Sequence, residues 1–276
     1  MAAERNPVAP LVNTTINLAC SICNGESTHA FRTRVLRKYD VDFFQCVDCG
    51  YLRTPEPHWL KQAYSNAIAV ADTGVVQRNT DLGHIGSTLL YFLFPKKGKF
   101  LDQAGGYGIF VRMMRDIGFD FYWADKYCEN LFARGFEFHP GESYTAVTAF
   151  EVLEHVSDPV VFIQETLAAA KSDSLIFTTE LFKGKPPEPG QWWYYAFETG
   201  QHISFYEHRT LEAIAKHLGK HLCSNGSVHM LTDKPVNSLL FRVLTSTPAA
   251  RVLRLLPSIR MSSLTMPDHL RVIKNS

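Results

Sequence analysis

The sequence predicts an α/β protein: a mostly parallel sheet with helices on both faces, preceded by a small cysteine-bearing module. Two observations carry this. Between Lys96 and Thr245, short apolar runs such as Phe100-Leu101-Asp102 and Ala146-Val147-Thr148-Ala149-Phe150 alternate with helical patterns, as βαβ units do. Upstream, Cys20-x-x-Cys23 and Cys46-x-x-Cys49 lie about two dozen residues apart, close to the spacing of zinc ribbons. The chain therefore divides into a zinc-ribbon-like module over 1–57, a helical connector or cap over 58–95, a Rossmann-like domain over 96–246 and a tail over 247–276.

Each element has its own reason. The alternation of Val41-Asp42-Phe43-Phe44 reads as a strand, and Pro55-Glu56-Pro57 closes the module. Ile85, Leu89 and Leu93 recur at intervals of four on one helix face, which Pro95 ends. Phe100 to Asp102 is a first strand, Ile109 to Ile117 the helix after a glycine turn, and Phe119 to Ala124 a second strand. Ala146 to Phe150 is a strand, Val160 to Ala170 a helix, Ser174 to Thr179 a strand and Thr210 to Leu218 a helix. Two late strands are expected near Leu222 to Leu231 and Val236 to Leu244. In the tail, Ala250 to Leu256 is a basic amphipathic piece that reads as a packed surface helix, followed by a polar end.

The 276 residues are 46% hydrophobic, enough for a full core, and 28 basic against 27 acidic residues leave the chain nearly neutral. That balance argues against a nucleic-acid partner, which calls for a basic excess. The first residues lack the apolar core of a signal peptide, and the longest apolar run, Leu89 to Phe94, falls far short of a membrane span of roughly 20 residues. A cytoplasmic protein is expected. There, paired cysteines point to metal rather than disulfides, so Cys20, Cys23, Cys46 and Cys49 are expected to hold one structural Zn2+ with no open position. Cys128 and Cys223 read as small buried side chains. The oligomeric state is not encoded in any motif.

Leu101-Asp102-Gln103-Ala104-Gly105-Gly106-Tyr107-Gly108 lies between the first strand and its helix. Glycine allows a sharp turn and a close ligand, and the helix N-terminus adds free N–H groups. Asp102 would repel a phosphate there but suits a cationic group such as an amino-acid ammonium. Asp125, a little over 20 residues on at the end of the second strand, is placed to accept from ribose hydroxyls. Turn and acids together resemble class I S-adenosylmethionine-dependent methyltransferases. The resemblance implies that Asp102, Ala104, Gly105, Gly106, Gly108 and Asp125 bind S-adenosyl-L-methionine. Ala104 replaces the first of the family's three alternating glycines, which requires an ordinary backbone angle at that position.

Further on, Thr148-Ala149-Phe150-Glu151-Val152-Leu153-Glu154-His155-Val156 looks like the stretch after the fourth strand in many small-molecule methyltransferases. The resemblance implies that Phe150 and Glu151 line the cofactor pocket, with His155 nearby. The plainer alternative is that Glu154 and His155 begin a helix capped by Ser157 and Asp158. Gln191 to Tyr206 is a long connection crowded with rings, suited to stacking on sugars or shielding a sulfonium from water. Its Gly-Gln-His-Ile-Ser-Phe-Tyr resembles a segment of sugar- and metabolite-modifying methyltransferases, which implies that His202 faces the active site. His202 is expected as general base, with Glu198 orienting it or binding substrate. The cysteine module looks like that of some sugar C-methyltransferases. The expected activity is O- or C-methylation of a sugar, glycan precursor or related small metabolite. Two other readings stay open: an RNA methyltransferase gripping through Arg32, Arg34, Arg37 and Lys38, and a non-enzymatic scaffold.

Overall fold

The structure, a computed structural model, describes residues 18–65 and 72–275. The expectations about the first residues, and about part of the connector, fall outside them. A first, antiparallel sheet begins with β1 (Leu18–Ala19), β2 (Glu26–Val35), β3 (Tyr39–Cys46) and β4 (Leu52–Arg53). On β3 the alternation holds: Val41 and Phe43 turn inward, while Asp40 and Asp42 face out and pair with Arg34 and Arg32 on β2. A short helix α1 (Leu60–Ala63) and the long α2 (Val75–Leu93) follow. α2 buries Ile85, Leu89 and Leu90 and ends before Pro95, which cannot continue a helix.

The second sheet opens with β5 (Lys99–Gln103), α3 (Ile109–Ile117) and β6 (Asp120–Ala124), then β7 (Ala146–Ala149), α4 (Pro159–Ala170) and β8 (Leu175–Thr178). β5 pairs in parallel with β6 on one side and β7 on the other, and β7 with β8. Every residue of β7 and β8 is buried, the continuous apolar signature of strands covered on both faces. Asp158 caps α4 by accepting from the Val161 N–H at 3.1 Å, with Pro159 at the first helical position.

Next come β9 (Ser204–Phe205), α5 (His208–Leu218), β10 (His221–Ser224) and β11 (Val228–Thr232). β10 and β11 form an antiparallel hairpin that adds to β8, giving the order β10-β11-β8-β7-β5-β6. The chain ends in α6 (Ser238–Thr245), α7 (Thr247–Leu253), α8 (Leu255–Arg260) and α9 (Thr265–Asn275). Three expectations are corrected here. The first late strand is the whole hairpin, because Asn225 and Gly226 turn the chain inside it. The second is helix α6: Asn237 caps it through the Leu240 N–H, and Phe241 and Leu244 recur on its buried face. The polar end of the tail is helix α9, which Asp268 anchors on Arg115 and Arg112 of α3.

β9 does not join the second sheet. It pairs antiparallel with β4, Leu52 opposite Phe205, and completes the first sheet. The ring-rich connection accordingly goes into the core. Tyr194, Tyr195, Phe197 and Phe205 pack against Val35, Phe43, Leu52 and Trp59, so these faces are unavailable for stacking on a substrate. Trp193, 77% exposed, is the exception.

Candidate functional site

Neighbours reverse at β5, which has β6 on one side and β7 on the other, and such reversals open a crevice at the strands' carboxyl ends. The glycine turn forms one wall. Gly106 and Gly108 have φ of +54° and +85°. A Cβ on Gly105 would sit 2.7 Å from a carboxylate oxygen of Asp102, whereas one on Gly106 would meet nothing within 4 Å. The turn is thus tight below and open above. Ala104 has φ +58°, so the ordinary angle expected of it is not what it adopts; the turn holds an alanine in the left-handed region at a cost of roughly 1 kcal/mol.

Asp102 lies under the turn, 3% exposed, accepting a 2.6 Å hydrogen bond from Thr148. Burial pushes its carboxyl up to about 7 against the pull of that hydrogen bond. Asp125 ties the second strand to the turn: one oxygen accepts from the N–H groups of Tyr127 and Cys128, the other from Gly106 at 2.9 Å. A carboxylate has about four acceptor sites, so one remains for a hydroxyl.

The facing wall comes from the end of β7. Phe150 packs edge-on against Phe110 of α3, ring centres 5.0 Å apart. Glu151 has φ +56°, a strained angle for a non-glycine residue. Thr178 accepts from its N–H and donates to its carboxylate, both at 2.8 Å. Burial raises the Glu151 pKa, and the Thr178 hydrogen bond and Arg78 oppose the rise. Arg78, on α2, lies 3.8 Å from Glu151 and makes a two-pronged pair with Asp72. Between α2 and the ends of β7 and β8, Arg78, Glu151 and Thr178 line a cavity of about 210 Å³ that also touches Ile85, Thr179 and Glu180.

Leu153–His155 is a single 3-10 turn, rather than the start of a helix, and the strand that follows the aromatic connection stitches it in place. Ile203 N–H donates to Glu154 C=O at 2.8 Å, while Ser204 and Tyr206 hydroxyls donate to Leu153 C=O. The rings of His155 and His202 therefore meet edge to face, centres 4.8 Å apart. His202 donates its Nδ1–H to Tyr194 C=O at 2.6 Å, and His155 to Gln201 C=O at 3.1 Å. Each is left with a bare Nε2 lone pair. Burial holds both imidazoles neutral, His155 down to about 3 and His202 to about 4. Glu154, fully buried, is pushed up to about 8 by burial and the charge of Glu151. The orienting role expected of Glu198 falls to Tyr194, because Glu198 is exposed to solvent.

The cysteines converge as their spacing predicts. Cys20 and Cys49 sulfurs are 3.6 Å apart, Cys23 and Cys46 sulfurs 3.5 Å, and all four fit within 4.8 Å. Tetrahedral zinc with Zn–S bonds of about 2.3 Å needs sulfurs roughly 3.8 Å apart. The two knuckles are alike: Ile22 N–H donates to Cys20 Sγ and Cys49 N–H to Cys46 Sγ, and Asn24 and Gly50 take left-handed φ of 60° and 75° after the second cysteine. Hydrogen bonding to Cys49 draws the Cys20 thiol down to about 5. The second knuckle docks on the start of α5, where Thr210 donates to Cys49 C=O at 2.7 Å.

Sequence reasoning missed Arg78, Asp72, Tyr194 and the convergence of Glu154 on the histidines. Arg78 had no signal, being one basic residue in a helix read as a connector. Glu154 had one: two acids and a histidine within five residues directly after an apolar strand. Tyr64 stacks on Tyr127 over this side of the crevice, ring centres 5.3 Å apart.

A family model described as a methyltransferase domain matches residues 77–222. No curated protein matches the chain in sequence. Among solved structures, the chain is similar to TnmH at 15% identity and TM-score 0.45, over 65% of this chain and 62% of that one. It is also similar to magnesium protoporphyrin IX methyltransferase from Synechocystis with bound S-adenosylmethionine, at 12% identity and TM-score 0.40, over 64% and 93%. A third likeness is an O-methyltransferase family 2 protein from Planctomyces limnophilus in complex with apigenin, at 12% and 0.40, over 62% and 63%.

Proposed function

Because the chain belongs to the methyltransferase-domain family and is an S-adenosylmethionine-dependent methyltransferase, we propose that it methylates a hydroxyl of a sugar, glycan precursor or related small metabolite. The observation that carries this reading is the glycine turn left open at Gly106, beside which Asp125 keeps one acceptor site free. When bound, S-adenosylmethionine supplies a methyl group on a positively charged sulfur. The residues present fit it: Gly106 leaves room over the backbone, Asp125 keeps an acceptor site for a ribose hydroxyl, and Asp102 places a carboxyl beneath the turn. Phe150 and Glu151 form the opposite lining. The acceptor's oxygen is held near His202, whose Nε2 takes its proton, while Tyr194 C=O fixes the ring.

An RNA grip through the arginine cluster is disfavoured by Asp42 and Asp40, which pair with Arg32 and Arg34 across the strands. The four cysteines are assigned to one structural zinc, and the segment over 1–57 to a module that holds β9 rather than the reactants.

Calorimetric titration with S-adenosylmethionine and S-adenosylhomocysteine tests the cofactor site. Micromolar binding, weakened at least tenfold by Asp125→Ala, is expected. Folded, zinc-loaded protein that binds neither ligand would overturn the enzyme reading in favour of the scaffold. His202→Ala is expected to cut turnover while leaving cofactor affinity in place; full turnover would remove the base role.

A further inference from the structure

Two bare imidazole nitrogens and a buried carboxyl without a hydrogen-bond partner meet at the end of β7. Glu154 is wholly buried, and neither of its carboxylate oxygens has a hydrogen-bond partner. His155 and His202 have committed their Nδ1–H groups to backbone carbonyls, so only bare Nε2 atoms are left to offer. One ligand atom from each of the three residues lies within 4.8 Å of the other two. Arg78 holds Asp72, and the Tyr194 hydroxyl lies 3.2 Å from that of Thr179, either of which can donate to the other. A buried carboxyl that makes no hydrogen bond is costly, and a cation drawing on all three lone pairs removes that cost.

We propose that Glu154, His155 and His202 bind one divalent transition-metal ion, at a second metal site distinct from the four cysteines. Two imidazoles and one carboxylate suit manganese, iron, cobalt, nickel or zinc, whereas calcium and magnesium prefer oxygen alone. The carbonyls behind each ring are the orienting partners that such ligands carry, since they fix the tautomer that leaves Nε2 free. The backbone is fixed as well: Ile203 N–H on Glu154 C=O locks the turn bearing two ligands to the strand bearing the third. Three protein ligands leave coordination positions open.

The ion site stands on these side chains alone; only its part in methyl transfer rests on the proposed function. There it makes the acceptor a hydroxyl. Held by these three side chains, the ion would act as a Lewis acid on the oxygen of an acceptor hydroxyl, whose proton could then leave to water. His202 would be a ligand whenever the ion is bound, and its role as base belongs to the ion-free chain. The new bond joins that oxygen to the methyl carbon, and the carbon–sulfur bond breaks with its electrons going to sulfur.

The test is a titration of the full-length, zinc-loaded chain with Mn2+, followed by the electron paramagnetic resonance of the free ion. Mn2+ does not displace zinc from thiolates. One Mn2+ per chain is expected, with affinity falling roughly 100-fold in Glu154→Gln and in His202→Ala. Glu154→Gln replaces an unpartnered buried carboxylate with a neutral group of the same shape, so zinc content and circular dichroism are expected to hold. A wild-type chain that takes up no Mn2+ at millimolar concentration, or variants that bind it equally well, would overturn the site. Neither measurement needs cofactor, so a failure of the cofactor reading leaves the ion result standing. With S-adenosylmethionine bound, Mn2+ is expected to broaden the methyl proton resonance. A sharp resonance with both bound would overturn the ion's part in the reaction.

Discussion

At the residue scale, the glycine turn carries strain and charge that composition does not display. Ala104 was read as needing an ordinary angle, yet a turn that must clear Asp102 and reach α3 imposes φ +58° on it. Ala104→Gly removes that strain at some entropic cost, so a gain of up to about 1 kcal/mol is expected in urea unfolding. Asp102 sets a pH dependence. Its folded-state pKa of about 7 lies above the ordinary value, so the folded protein binds the proton more tightly than the unfolded chain. Its contribution is favourable below about pH 4, declines as pH rises to about 7, and is flat beyond, a span of roughly 4 kcal/mol. Asp102→Asn is expected to flatten that part of the stability profile in thermal melts from pH 4 to 8. The glycines, Asp125 and the cysteines were legible because their chemistry depends on residue type and spacing. The partner that orients His202 was not legible because nothing in a one-dimensional run tells which of several nearby groups reaches a histidine, and here a backbone carbonyl does.

At the element scale, the expected helix Ile109 to Ile117 coincides with α3, and the strands and helices from β5 to α5 lie within a residue or two of their expected positions, except β9, which lies in what reads as a connection. Apolar period and turn residues fix such elements locally. What failed was the pairing of an apolar run with a shape. Val236 to Leu244 is apolar enough for a strand, but Asn237 offers a cap and Phe241 and Leu244 share a helix face. The docking of α9 was likewise invisible, since it depends on Asp268 meeting Arg115 across more than half the chain. Arg115 is 3% exposed, so Asp268→Ala leaves a buried guanidinium with only Asp120 and the Phe121 carbonyl among its described hydrogen-bond partners. A loss of about 3 kcal/mol is expected, read as a lower melting temperature with faster hydrogen exchange in α9.

At the scale of the whole molecule, the two sheets are linked through the site. The second knuckle leads through Tyr51 into β4, β4 pairs with β9, and His202 directly precedes β9. Stripping zinc with a chelator is therefore expected to lower both stability and turnover, and restored zinc to recover them. Unchanged turnover in zinc-free protein would separate the module from the site. That coupling lay beyond the sequence because the residues that pair, Leu52 and Phe205, share no pattern across so long a separation.

The same pairing has a consequence for synthesis. The first sheet begins at Leu18, yet its last strand is Ser204–Phe205 of a 276-residue chain. A nascent chain that has just released its cysteine knuckles from the ribosome carries β4 with an open edge, and the apolar face of Val41, Phe43 and Leu52 uncovered, until the aromatic connection emerges. Such edges invite pairing with other chains. Chains halted before residue 204 should accumulate as aggregates even when zinc is plentiful, and more so than chains halted after β11, in which both sheets have all their strands.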